Sequence, residues 1–209
     1  MLDPALEIED HAQTVSLVVA VADYAATSVI ISDFALNIAR LCLVDALGRG
    51  FEALRDPECA ALIGPLVPGA LLPGGARVPG TSLELDPAQA AFCNSLLLCR
   101  AADGERAADS LGAILAVADY QARKATMEGE SPPRVYDVLN AIGKTLQIQG
   151  VLAYEGGPQD TAIATLRFAR VAATAIVTAQ LGGTHEQIAT ALSHACANDD
   201  AMLIEADGQ

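Results

Sequence analysis

Thr161 to Leu181 reads TAIATLRFARVAATAIVTAQL, a run of 21 residues without Gly or Pro and rich in alanine. Alanine has the best helix propensity, and a strand of this length would be exceptional, so the segment is a long helix. Its end is marked by Gly182-Gly183. Thr184, with Gln187 three residues later, then has the spacing of a capping box that opens another helix, expected to run to about Asn198. Upstream, Gly156-Gly157-Pro158 separates the run from Val135–Ala153, which carries Val138, Leu139, Ile142, Leu146 and Ile148 at helical spacing.

The same alternation of apolar periodicity and Gly/Pro breaks extends to the N-terminus. Asp10–Ile30 places Val15, Leu17, Val18, Val21, Ala22 and Ala25 on one face. Ser32 is the expected N-cap of a helix over Asp33–Gly48, with Phe34, Ile38, Leu41, Cys42 and Val44 as its buried stripe and Gly48 and Gly50 as its end. Pro57-Glu58 opens a short helix through Ile63. Gly64–Asp86 has four prolines and five glycines interspersed and reads as a long loop or short ribbon, with a strand near Arg77-Val78. Asp86-Pro87 restarts helix to about Ala102. Asp103–Ala108 is a polar break, and Asp109 or Ser110 is the expected cap of a helix to about Met127. Gly129–Pro133 breaks that helix in turn. The predicted fold class is all-α with one long Pro/Gly-rich loop, residues 64–86.

Composition agrees. The chain has 209 residues, 52% of them apolar but only 4% aromatic with no Trp, so small aliphatic side chains must fill the core. Lys and Arg number 12 against 26 Asp and Glu, for a net charge of −14. Such an acidic surface with two lysines, Lys124 and Lys144, excludes a nucleic-acid partner, which needs cations against phosphate. Thr14–Ile31 is the nearest approach to a membrane span, yet Asp23 sits inside it, at a cost of about 2.5–3.5 kcal/mol in a bilayer. No membrane association is expected, nor a signal or transit peptide in the acidic N-terminus, and the expected compartment is the cytoplasm. Five scattered cysteines without a CxxC pair read as reduced thiols.

Candidates for chemistry are sparse. His185 and His194 stand nine residues apart, so they fall on nearly opposite sides of a helix and cannot ligate one metal together. His11 lies beside acidic residues, and His194 among Leu192, Ala195 and Cys196 reads as a hydrogen-bonded residue at a packing surface. Asp103, Glu105 and Asp109, with Arg100 and Arg106 nearby, cluster around a helix break, where carboxylates serve as caps or as general acids and bases. Gly74-Gly75 lacks phosphate-loop spacing, and no serine-nucleophile motif is present.

A series of short motifs points further. Pro57-Glu58-Cys59, Gly64-Pro65, Val67-Pro68-Gly69, Gly75-Ala76-Arg77-Val78-Pro79-Gly80-Thr81-Ser82, Glu84-Leu85-Asp86-Pro87, the run Asp109–Tyr120 (DSLGAILAVADY), Ile148–Ala153, Leu181–Thr184 and Ala191-Leu192-Ser193-His194-Ala195 together resemble the MmgE/PrpD family, in family order. The resemblance implies a helical domain followed by a smaller α/β domain, a homodimer, no metal or organic cofactor, and dehydration or decarboxylation of small tricarboxylates. It further implies that residues 1–209 are a partial N-terminal helical domain with the smaller domain absent. Where the family carries Asp-Phe-Asn-Asp-Thr and then His-Pro-Ser-Asp, this chain has the shorter Ala101–Asp109 (AADGERAAD). Asp103 then matches the first aspartate, Arg106 or Ala107 stands at the histidine, and Asp109 keeps the last aspartate. A second family histidine falls near Thr165. The resemblance puts the family's active-site aspartate at the second aspartate of that segment, which has no match here; the surviving carboxylates Asp103 and Asp109 are the groups expected to handle protons, with Arg77 and Arg100 for substrate charge. A non-catalytic helical module that dimerises or pairs with a longer homologue is the alternative expectation.

Overall fold

The computed structural model describes residues 4–30, 32–100, 108–155 and 162–206. Among the described residues eight helices are formed: α1 (Pro4–Thr27), α2 (Asp33–Ala53), α3 (Pro57–Leu62), α4 (Pro87–Arg100), α5 (Ala108–Glu128), α6 (Val135–Glu155), α7 (Ala162–Gln180) and α8 (His185–Ala206). Two-residue strands β1 (Ala76–Arg77) and β2 (Glu84–Leu85) pair antiparallel, Ala76 opposite Leu85 and Arg77 opposite Glu84. The fold is all-α, and the Pro/Gly segment closes on itself as a small ribbon. The capping box forms as expected: Gln187 N–H donates to Thr184 Oγ1 at 3.3 Å and Thr184 N–H to Gln187 Oε1 at 2.9 Å. Ser32 caps α2 by accepting from Ala35 N–H.

The main core gathers the inner faces of α1, α2, α4, α5, α6, α7 and α8 around Ile114, Ile142, Ile176, Ile188 and Leu192. Helices α4 and α5 form a hairpin, α7 lies against α5, α6 and α8, and α1 closes over α7 and α8. A second, smaller core lies under the ribbon, where Cys59, Val78, Leu85, Cys93 and Leu97 meet. In the main core, alanines, among them Ala22, Ala39, Ala46, Ala172 and Ala175, are interleaved with the larger side chains. An alanine Cβ at Gly112 of α5 would stand 2.4 Å from Ser95 N on α4, so the hairpin closes backbone to backbone.

Several expectations need correction. Helix α2 does not stop at Gly48 or Gly50 but continues to Ala53, because Gly50 is buried against Leu98 of α4, a position where even a Cβ would sit 3.1 Å from Leu98 Cδ2. Nor is its buried stripe the large one. Ala39, Ala46, Gly50 and Ala53 face inward, while Phe34 is 76% exposed and Ile38, Leu41 and Val44 are also exposed. The short distance between α2 and its neighbours selects the face with the smallest side chains. Ser110 is not a cap. It lies inside the first turn of α5, fully buried, with Oγ donating to Ala169 O at 3.1 Å and accepting from Gln149 Nε2 at 2.8 Å, which joins α5 to α7 and α6. Helix α8 passes Asn198 and reaches Ala206. His194 is exposed on α8 and not packed. The break at Asp103–Ala108 falls mostly outside the described residues.

Polar side chains on α6 hold the turn after α1. Asn140 accepts from Ile30 N–H at 2.8 Å and donates to Ile30 O at 3.0 Å, Tyr136 Oη donates to Ile30 O, and Lys144 Nζ donates to Ala25 O at 2.6 Å. Burial pushes the Lys144 ammonium below the usual lysine range, and an orphan carbonyl at the end of α1 is what it finds there. None of the five thiols is in a disulfide. No helix among the described residues is long and apolar enough to cross a membrane.

Candidate functional site

Four charges strap the ribbon onto α5. Asp119 and Arg123 are one helical turn apart on α5, and they face Arg77 and Glu84, directly opposite each other on the two strands. Arg77 donates through Nη2 to Asp119 Oδ1 at 2.5 Å and through Nε at 3.2 Å, and its backbone N–H reaches Oδ2 at 2.8 Å. Arg123 Nη2 lies 2.7 Å from Glu84 Oε1, while Glu84 Oε2 accepts from Gly74 N–H at 2.8 Å. Burial alone would raise the Asp119 carboxyl, but the Arg77 hydrogen bonds and the positive charges outweigh it and hold the group below the usual carboxylate range. Glu84 is held low by the Gly74 amide first and by Arg123 next.

Beside this strap opens a groove of about 530 Å³ between α2, the ribbon turn, α4, α5 and the start of α6. Its walls are mostly apolar, with Arg77, Asp119 and Arg134 at the rim and Asn94 of α4 in its lining. Arg134 Nε approaches Asp137 Oδ2 at 3.5 Å, and its guanidinium carbon lies 5.9 Å from the centre of the Tyr136 ring.

Of the residues expected to carry chemistry, only Arg77 has a described side chain, and the structure gives it to Asp119. Arg100 is the last residue of α4 and Asp109 the second of α5, so their backbones stand at the same end of the hairpin, with side chains outside the described residues. Asp103 lies outside the described residues altogether. Sequence reasoning did not single out Asp119, Glu84, Arg123, Asn94 or Arg134 as site residues. The opposite charges of Asp119 and Arg123 at i,i+4 are a visible signal for a charged helix face, whereas their pairing with residues about 40 positions away is not. Among the described residues no group of three His, Cys, Asp or Glu is placed to hold a metal ion.

The architecture is that of an α-helical domain with an aliphatic core, carrying a ribbon strapped to one hairpin. The model of the MmgE/PrpD N-terminal domain matches residues 16–208, and the chain belongs to the MmgE/PrpD family. It is 38% identical to 2-methylcitrate dehydratase of Escherichia coli K12 over 193 residues, which cover 88% of this chain and 40% of that protein. Against mitochondrial 2-methylcitrate dehydratase of Yarrowia lipolytica the identity is 38% over 192 residues, 87% of this chain and 37% of the relative. Against the 2-methylcitrate dehydratase-like protein oryR of Aspergillus oryzae it is 34% over 197 residues, 88% and 40% respectively. The chain thus spans about 40% of the length of the curated relatives it matches.

Proposed function

We propose that this chain is the helical part of a 2-methylcitrate dehydratase-like lyase acting on small tricarboxylates, by dehydration or decarboxylation. The observation that carries the reading is its 38% identity, along most of its length, to proteins of that name. Eliminating water from such a substrate needs a base for the carbon-bound proton and an acid for the departing hydroxide, each worth about 10²–10⁴ in rate. Asp103, and Asp109 near the start of α5, are the groups assigned here to proton handling, without a metal or organic cofactor. Arg100, at the end of α4, and Arg77, through the guanidinium edge that Asp119 does not occupy, are assigned to substrate carboxylates.

The residues that the family motif would place between Arg100 and Asp109 are shorter here, and Arg106 or Ala107 stands at the histidine. The chain alone is therefore expected to convert 2-methylcitrate at least about a hundredfold more slowly than a longer relative. Ultraviolet absorbance of the unsaturated product measures this, with Asp103→Asn and Asp109→Asn expected to abolish what remains. A rate within about tenfold of the relative, unaffected by either substitution, places the chemistry elsewhere in the chain.

A second reading, a non-catalytic module that associates with its own copies, is favoured by one observation. The outer face of α2 exposes Phe34, Ile38, Leu41 and Val44 together, and exposed apolar clusters mark association surfaces. Both readings are compatible with a homo-oligomer.

A further inference from the structure

Asn94 is 2% exposed, and its Oδ1 has no hydrogen-bond partner. Its Nδ2 donates to Gly112 O at 3.4 Å. That contact fixes the orientation of the amide, since the flipped alternative would set two oxygens against each other. The acceptor is thus the atom left over, and Asn94 lines the groove beside the ribbon strap. Asn140, the comparable buried asparagine of α6, uses both ends of its amide on Ile30. A buried polar atom without a partner costs about 1–3 kcal/mol, a cost that a leucine of similar shape would not carry.

The surroundings narrow what could satisfy it. Next to Asn94 the groove narrows into a chamber of about 10 Å³ whose other lining residues are Gly50, Pro79 and large apolar side chains, among them Leu47, Phe51, Leu97 and Leu115. A water there would find Asn94 as its one polar side chain, where buried waters make about three hydrogen bonds. The unmet oxygen accepts and cannot donate, so it repels a carboxylate and calls for a hydroxyl or N–H. Arg134, another lining residue, has a side chain that is 77% exposed, and its contact with Asp137 is made through Nε at 3.5 Å. The volume of about 530 Å³ is that of a small-molecule site.

We propose that this groove binds a small organic acid with an apolar body and one hydroxyl or N–H donor, the donor going to Asn94 Oδ1 and the carboxylate to Arg134. The two contacts proposed, at Asn94 and Arg134, do not use Arg77 or the Arg100–Asp109 end of the hairpin, and a tricarboxylate does not suit them, because the walls between are mostly apolar and the inner polar atom is an acceptor. Binding here does not depend on whether the chain is catalytic.

The probe is para-hydroxyphenylpropionate, compared with phenylpropionate, which lacks the donor, and with the methyl ester of the hydroxy acid, which lacks the charge. Titration of nitrogen-15-labelled protein is expected to shift the Asn94 side-chain amide resonance with the hydroxy acid. Phenylpropionate is expected to bind about tenfold more weakly, the effect of one well-placed hydrogen bond. Arg134→Gln should weaken both acids and leave the ester unchanged. In Asn94→Leu the preference for the hydroxy acid should disappear while the melting temperature of the unliganded protein holds or rises. Equal binding of the two acids, no binding of the hydroxy acid at millimolar concentration, or an Asn94→Leu protein that melts several degrees lower each overturns the proposal. The last result would assign Asn94 to the α4–α5 contact alone.

Discussion

Asp119 does two jobs at once, holding the β1 backbone and the Arg77 side chain, so its charge is a structural element. Its folded-state acidity is stronger than in the unfolded chain, and the same is true of Glu84. Each therefore contributes stability that is complete above the ordinary carboxylate pKa and is lost as pH falls through the lower folded-state value. Asp119→Asn should cost about 1–2 kcal/mol at neutral pH, discounted for the exposure of Arg77. The gap between variant and parent in urea unfolding should narrow as pH falls below the ordinary carboxylate range and Asp119 loses its charge. A gap that persists in acid would mean that the amide fails on geometry and that charge is secondary. Gly112 sets a different kind of limit. Its Cβ would meet Ser95 N, a backbone atom that cannot swing aside, so Gly112→Ala should destabilise by about 1–3 kcal/mol in denaturant unfolding.

Helix α2 is apolar on two sides, and that is where the sequence is ambiguous. Its period and N-cap are legible, because Ser32 and the absence of proline define them locally. Which side faces the core is not, because Phe34, Ile38, Leu41 and Val44 win on hydrophobicity while Ala39, Ala46 and Gly50 win on closeness. Ser110 is ambiguous for a related reason: a serine at a helix start is a cap by local rules, and its bonds to Ala169 and Gln149 come from helices far along the chain. The ribbon was legible through its glycines and prolines, and Arg77 as a notable cation, but the α5 carboxylate that receives it was not. The unmet oxygen of Asn94 is likewise invisible in an otherwise apolar stretch. The two faces of α2 make opposite predictions. Phe34→Glu with Leu41→Glu should leave unfolding free energy within about 0.5 kcal/mol of the parent and abolish self-association in sedimentation. Ala46→Leu should instead cost about 1–3 kcal/mol by overpacking the core.

At the scale of the whole molecule, a charge of −14 opposes the pairing that the outer face of α2 would favour. The repulsion is long-range and screened by salt, whereas apolar burial is short-range and is not. Self-association should therefore strengthen as ionic strength rises from about 0.02 M to about 0.3 M, with sedimentation equilibrium as the measurement. Weakening over that range would show that ion pairs hold the copies together. The α4–α5 hairpin carries one more consequence. The two helices meet backbone to backbone at Gly112 and Ser95, and that crossing fixes how they align there. Doubling the length of that connection would add only about 0.6 kcal/mol of closure entropy. The hairpin is thus expected to act as a socket: segments of different length and chemistry exchanged between Arg100 and Ala108 should leave the melting temperature of the frame beneath them nearly unchanged.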